Sequence, residues 1–277
     1  MTGKLYICPT PIGNLEDITI RTLETLKQVD LVAAEDTRHT LKLLNHFEIK
    51  KPLTSYHEHN KYEKGGYLVS KLMDGEDIAL VSDAGMPGIS DPGEEIIKEA
   101  IEAGIEVVAL PGPTASIMAL VVSGLPTGKF VFEGFLSSKK RDRRSELERL
   151  KNEERTIILY ESPRRIMNLL EDILQIMGDR KVALSRELTK KHEEINRGRV
   201  SEVIADYSDR EVKGEIVLVL EGNSEPEAEV EKMEFESIRD HILHYMESGL
   251  PKKEAIKSVA KDRNIPKNEV YKESIDI

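Results

Sequence analysis

Apolar positions in this chain gather in short continuous runs instead of alternating with polar ones. Runs of this kind occur at 4–8, 31–34, 78–81, 107–110, 130–132, 157–160, 181–185 and 215–220, and most end in Gly, Pro, Ser or Asp. Continuous Val- and Ile-rich runs of strand length predict strands buried on both faces. Helix-spaced segments lie between them, at 17–28, 94–103 and 166–177. The last has Ile166, Leu169, Leu170, Ile173, Leu174 and Met177 on one face. Gly104 and Gly178 follow the second and third segments as helix stops. Strand and helix alternate, which predicts an α/β fold with helix-covered sheets.

Punctuation divides this pattern. Pro111-Gly112-Pro113 excludes regular structure and suggests two α/β domains, 1–112 and 113–222. An acidic, aperiodic stretch at 223–236 reads as a linker. The tail, 237–277, returns to helical spacing: Ile238, Ile242 and Tyr245 mark one helix, and 252–262 and 266–274 mark two more. No internal repeat is apparent.

Composition narrows the class. The 277 residues carry 40 basic and 51 acidic side chains, a net charge of −11, which argues against indiscriminate coating of nucleic acid. The distribution is uneven, however. Residues 139–200 hold 17 basic against 12 acidic side chains, whereas 1–138 hold 12 against 20 and 201–236 hold 3 against 12. No apolar run is long enough to span a bilayer, and the first residues enter a strand pattern without a signal-peptide pattern, so a cytoplasmic protein is expected. The single cysteine, Cys8, forbids an internal disulfide and any multi-cysteine metal site.

Ligands of α/β sheets collect outside the carboxyl ends of the strands. The loops there are rich in Gly and Pro: 9–14 (PTPIGN), 82–93 (SDAGMPGISDPG) and 111–115 (PGPTA). Such loops either terminate strands or bring rigid backbone against a polar small molecule. No P-loop, GxGxxG, HExxH or GxSxG pattern occurs. His57 and His59 form the nearest histidine pair, and a solvated loop suits them better than a metal, for which no ligand set is expected. Charged clusters follow two strands, at 35–38 (EDTR) and 186–194 (RELTKKHEE). Each is either a solvated ion-pair network or a site that grips phosphates and presents a carboxylate to a hydroxyl.

Taken in order, these motifs, with EGFL (133–136), YESP (160–163) and GEIVLV (214–219), resemble the tetrapyrrole methylase family. The likeness is to its RNA-modifying branch, the 16S rRNA (cytidine-2′-O)-methyltransferases, and covers about 1–222. The tail looks like that branch's helix-turn-helix-like extension. PTPIGN stands where the porphyrinoid enzymes carry GxGxGD, which favours the RNA branch. Arg164 follows YESP where members often have His, and Ser137 follows EGFL where Pro is common.

The resemblance implies two α/β domains with S-adenosylmethionine in the cleft between them, a homodimer, and no membrane or metal partner. The substrate would be 16S rRNA in the small ribosomal subunit, methylated on the ribose of a decoding-region cytidine; a porphyrinoid or corrinoid small molecule is the alternative. It implies cofactor contacts from Pro11, Gly13, Asp83, Ala84, Gly85, Ile89, Thr114, Ala115, Tyr160 and Glu215. A ribose hydroxyl benefits from a proton acceptor, and Glu35, Asp36 and Glu187 are the candidates. Arg38, Arg186, Lys190 and His192 would hold RNA phosphates. The run Lys139, Lys140, Arg141, Arg143 and Arg144 reads either as a solvated helix start or as a mobile arm along the RNA backbone.

Overall fold

The computed structural model describes residues 2–224, 235, 237–263 and 265–275. The chain divides into two compact units, Met1–Ser224 and Glu225–Ile277.

The first unit holds two five-stranded sheets. Strands β1 (Lys4–Ile7), β2 (Leu31–Ala34), β3 (Leu53–Ser55), β4 (Ile78–Val81) and β5 (Glu106–Ala109) are all parallel, in the order β3-β2-β4-β1-β5. Helices α1 (Ile20–Gln28), α2 (Thr37–His46), α3 (Lys61–Met73) and α4 (Glu94–Glu102) connect them. The continuous apolar runs follow from this layering. Leu31, Ala33, Ile78 and Leu80 pack on one side with Leu68, Leu72 and Ile96, while Val32, Ala34, Ala79 and Val81 pack on the other with Leu26 and Leu44. Successive residues face opposite layers, so both must be apolar.

The second sheet contains β6 (Phe130–Phe135), β7 (Thr156–Glu161), β8 (Lys181–Arg186), β9 (Glu194–Arg199) and β10 (Ile216–Leu220), in the order β6-β7-β10-β8-β9. Here β10 runs antiparallel to both β7 and β8. Helices α6 (Lys140–Leu150), α7 (Ile166–Met177) and α8 (Val200–Tyr207) contribute to the core on one side of it. Helix α5 (Ala115–Val122) packs against β10 and β7 on the other. The chain crosses from one sheet to the other through 111–113, so that punctuation separates sheets although both lie in one compact unit.

All eight apolar runs form strands. Strands β3 and β9 lie outside these runs, and both are edge strands. Neither carries an apolar run: β3 has three half-buried residues, and β9 reads Glu-Ile-Asn-Arg-Gly-Arg. Strands at a sheet edge are short or charged because one side has no pairing partner. The three predicted helices form, the first starting later, at Ile20, behind a 3-10 turn at Leu15–Asp17.

The basic run at 139–144 requires a correction. It is the start of α6, not a mobile arm, and Arg143 is buried at 5% exposure. Its guanidinium donates to Asp172 Oδ2 of α7 from Nε (3.0 Å) and Nη2 (2.6 Å). Arg144 donates to Asp172 Oδ1 at 2.8 Å. Arg143 therefore cannot reach RNA; Lys139, Lys140 and Arg141 remain exposed.

The second unit is a three-helix arrangement with its own core. Helices α9 (Ile238–Glu247), α10 (Lys252–Asp262) and α11 (Lys267–Glu273) enclose Ile242, Ala255, Ile256, Val259 and Val270. Ser237 caps α9 by accepting from Asp240 N–H at 3.0 Å. The linker expected at 223–236 lies almost wholly outside the described residues. No helix among those described is long and apolar enough to cross a membrane.

Removing one partner of a buried ion pair leaves the other charge uncompensated, at a cost of about 3–5 kcal/mol. Asp172→Asn, which strips the buried Arg143 of its counter-charge, should lower the unfolding free energy by that amount in urea titrations, whereas Arg141→Met, on the exposed side, should change it by under about 0.5 kcal/mol. Equal effects would contradict the buried pairing.

Candidate active site between the two sheets

The loops after β1, β2, β4 and β5 all leave the first sheet at one edge, because its strands are parallel. In the second sheet, antiparallel pairing puts the start of β10 beside the ends of β7 and β8: Ile216 pairs with Glu161 on one side and Arg186 on the other. Motifs far apart in sequence are thereby gathered.

Two joints hold the gathered loops. Thr10 and Gly85 exchange both backbone hydrogen bonds, at 2.9 and 3.0 Å, and Thr10 Oγ1 donates to the Ser82 carbonyl at 3.0 Å. These bonds fasten 9–14 to 82–93. The second joint is Gly13 against 188–190. A Cβ there would lie 2.8 Å from Thr189 Oγ1 and 3.1 Å from the Leu188 carbonyl, and would collide with Lys190 Cγ. Asn14 N–H donates to Thr189 Oγ1 at 3.1 Å across the same contact. Loop 186–194 is itself strained: Glu187 and Thr189 have φ of 54° and 65°, left-handed values that non-glycine residues seldom adopt. Opposite Glu187, Gly214 has φ 91°, and a side chain there would strike the Glu187 carboxyl group.

Two cavities open beside these joints. The first, about 330 Å³, is walled by 84–86 and 89–91 from one half and 114–115, Phe135, 160–163, Ser185 and 214–217 from the other. The second, about 520 Å³, is walled by Thr10, Pro11, Gly13, 82–83 and α2, with Lys190 opposite. Ile12, Ala84 and Glu215 belong to both walls. The two spaces therefore adjoin at these three residues.

This geometry sorts the residues that the resemblance assigned to S-adenosylmethionine. Ala84, Gly85, Ile89, Thr114, Ala115, Tyr160 and Glu215 line the first cavity. Pro11, Gly13 and Asp83 line the second. The first cavity suits a small ligand with an apolar body and a cationic end. Its lining is largely apolar, and three carboxyl groups stand in its wall: Asp91, Glu161, which is paired with Arg165 at 3.0 Å, and Glu215, which is paired with Lys190 at 3.2 Å. Ser185 is fully buried there, and its hydroxyl has no hydrogen-bond partner. Tyr160 is fixed by accepting from Ser116 N–H at 3.2 Å and by edge contacts with Phe132 and Phe135. Phe135, Glu161 and Ser185 escaped the sequence reading, although EGFL and YESP pointed at the first two.

The three carboxylates considered as proton acceptors stand behind the walls and support them. Glu35 accepts from Asp83 N–H at 3.4 Å, and Asp36 N–H donates to Asp83 Oδ1 at 3.1 Å. Glu187 accepts from Glu215 N–H (3.0 Å) and from Lys190 (2.8 Å). Burial raises the Glu35 pKa above the ordinary value, and the Asp83 charge adds to the effect. Asp36 caps α2 and grips Arg38 with both oxygens, which holds its carboxyl well below the usual range. Burial alone would push Glu187 up, but the bonds from Lys190 and Glu215 N–H outweigh it and leave it lowered.

Of the expected phosphate contacts, Lys190 lines the second cavity and is held between Glu187 and Glu215, 3.2 Å from the latter. Arg186 is bound to Glu194 at 2.9 and 3.0 Å, Arg38 is occupied by Asp36, and His192 is exposed on the loop. His57 and His59 lie with ring centroids 6.0 Å apart. Residues His39 and Lys42, on the α2 wall, were not foreseen, because α2 itself was not.

The profile of the family described as Tetrapyrrole (Corrin/Porphyrin) Methylases matches residues 4–204. A protein of Bacillus subtilis (strain 168) named Ribosomal RNA small subunit methyltransferase I is 50% identical over 271 residues, 97% of this chain and 93% of that one. A protein of the same name from Thermotoga maritima is 52% identical over 220 residues, 79% of this chain and 99% of its own length. Among solved structures, uroporphyrin-III C-methyltransferase from Thermus thermophilus, complexed with S-adenosyl homocysteine, superposes with a TM-score of 0.56 at 20% identity. It covers 79% of this chain and 97% of its own. That likeness establishes the shared fold.

Asp91 offers a test of the site's electrostatics. Burial first, then the charges of Glu35 and Asp83, push its carboxyl up to about 6. A raised carboxyl pKa means the native state binds the proton more tightly. Its contribution to stability is therefore greatest below pH 4 and falls as pH rises to about 6. Asp91→Asn should melt higher than the parent at pH 7–8, the gap closing as pH falls from 6 to 4. A gap independent of pH would contradict the assignment.

Proposed function

The chain belongs to the tetrapyrrole methylase family, and from that premise we propose that it is an S-adenosylmethionine-dependent methyltransferase acting on small-subunit ribosomal RNA. The acceptor in this reading is the ribose 2′-hydroxyl of a cytidine in the decoding region of 16S rRNA. The observation that carries it is the pair of cavities meeting at Ile12, Ala84 and Glu215, in a chain half identical to the Bacillus subtilis rRNA methyltransferase over 97% of its length. A porphyrinoid substrate has behind it the family's description and a structural likeness at 20% identity, which speak to family and fold, whereas the half-identical relative carries the rRNA name.

S-adenosylmethionine, when bound, supplies an electrophilic methyl group on a sulfonium. The chain's residues do the rest by position. Ala84, Gly85, Thr114, Ala115 and Tyr160 offer a rigid wall, and the partnerless Ser185 hydroxyl offers a polar contact. Asp91 favours a cationic ligand at that wall, Glu161 being already paired with Arg165. Holding donor and acceptor in line, in direct contact where the two spaces meet, supplies on the order of 7–11 kcal/mol of barrier reduction. Asp83 and Glu215, at or beside the shared wall, are the carboxylates placed to receive the hydroxyl proton. Glu35, Asp36 and Glu187 position them.

Exposed Lys139, Lys140 and Arg141 serve as phosphate contacts outside the cavities, with Arg38, Arg186 and His192 nearer the loops. The protein acts in the cytoplasm, where its substrate is, and as a homodimer. Helix α5 supports the latter: apart from Ser116 it is apolar throughout, and Ile117 and Val121 are exposed on its outer side.

Labelled methyl from S-adenosylmethionine should enter isolated small ribosomal subunits or naked 16S rRNA, and a porphyrinoid substrate should stay unlabelled. Label in the porphyrinoid alone would overturn the reading. Tight RNA binding without transfer would overturn it as well.

A further inference from the structure

We propose that the cavity beside α2 is the acceptor-nucleotide pocket, in which His39 and Lys42 hold the sugar-phosphate of one nucleotide turned out of its strand. The inference rests on the rRNA reading and adds where, and by which side chains, the RNA is held.

Position comes first. The acceptor hydroxyl must come within reach of the donor cavity, and the α2 cavity shares the wall Ile12–Ala84–Glu215 with it. Size comes next. About 520 Å³ lies in the range of pockets that enclose one small ligand, about 300–1,000 Å³. A base pair within its helix does not fit such a space, so a nucleotide enters only after leaving the stack.

Charge points the same way. Helix α2 reads Thr-Arg-His-Thr-Leu-Lys-Leu-Leu-Asn-His and contains no acidic residue, within a first half that is predominantly acidic. Leu43 and Leu44 bury its inner side, while Arg38, His39, Lys42 and His46 are exposed. Arg38 is occupied by Asp36. Among the described residues no ion-pair partner faces His39 or Lys42, and both stand in the cavity wall. Lys190 faces them from the second half, neutralised by Glu187 and Glu215. The free positive charge of the pocket is therefore on α2, where a phosphate finds it.

Thr40 supplies an independent observation. It lies in the same wall, is 2% exposed, and its buried Oγ1 has no hydrogen-bond partner. A buried hydroxyl left unpaired is costly, and a ribose or base edge in the cavity is the kind of group that satisfies it.

The test uses the full chain with small ribosomal subunits. His39→Ala/Lys42→Ala should raise KM for subunits at least tenfold and weaken subunit binding to match. Its melting temperature and its affinity for S-adenosylhomocysteine, measured by calorimetry, should not change. Lys42→Arg should restore most of the loss. Thr40→Val, which keeps the shape and removes the hydroxyl, should lower kcat/KM for subunits without lowering the melting temperature. Parent-like KM and subunit binding in the double variant, with an active parent, would overturn the pocket and leave the rRNA reading standing. A parent that methylates neither subunits nor naked 16S rRNA would overturn both.

Discussion

The close approach of Gly13 to the Leu188 carbonyl and the Thr189 and Lys190 side chains is the constraint on which the site depends. A strand-end loop of one sheet is pressed against a strand-end loop of the other, with no room for a side chain between them. The Thr10–Gly85 hydrogen bonds carry that contact onward to 82–93. One rigid path thus runs from the second half through 9–14 to the fourth strand's loop. The two cavities lie on either side of it and share its side chains.

Such a joint asks for strain and for like charges to be held close, and both are present. Glu187 and Thr189 sit in left-handed backbone, where the 186–194 hydrogen bonds and the Gly214 turn hold them. The charges of Glu35 and Asp83 raise the Asp91 carboxyl pKa, and that of Asp83 raises Glu35. Deviations from comfortable backbone and solvation concentrate here, while both cores are ordinary apolar packing. The site draws its rigidity from those cores: 82–93, 160–163, 186–194 and the turn at Gly214 begin or end at the buried strands β4, β7, β8 and β10.

How much of this was legible in the sequence follows from the physics of each element. Strands buried on both faces announce themselves, because both alternating sets of residues must be apolar; Leu31–Ala34 and Ile78–Val81 are examples. Edge strands such as Glu194–Arg199 bury too little to leave that mark. Helix α2 went unseen because Glu35-Asp36-Thr37-Arg38 reads as a charged cluster, when Asp36 is in fact its N-cap. With α2 missing, His39, Thr40 and Lys42 had no place in a site. Loop chemistry was readable as a set, yet its division into two cavities was not, since spacing along the chain cannot say on which side of Ile12 a residue falls. Arg143 shows the same limit: a basic run gives no sign that one of its members turns inward to Asp172.

The claim that donor and acceptor occupy separate neighbouring spaces is tested most directly by a crystal structure of the protein with S-adenosylhomocysteine. The account predicts the ligand against Ala84–Met86, Thr114, Ala115 and Tyr160, with the space beside His39 and Lys42 free of it. Ligand seated against α2, on the far side of Ile12 and Glu215, would contradict it.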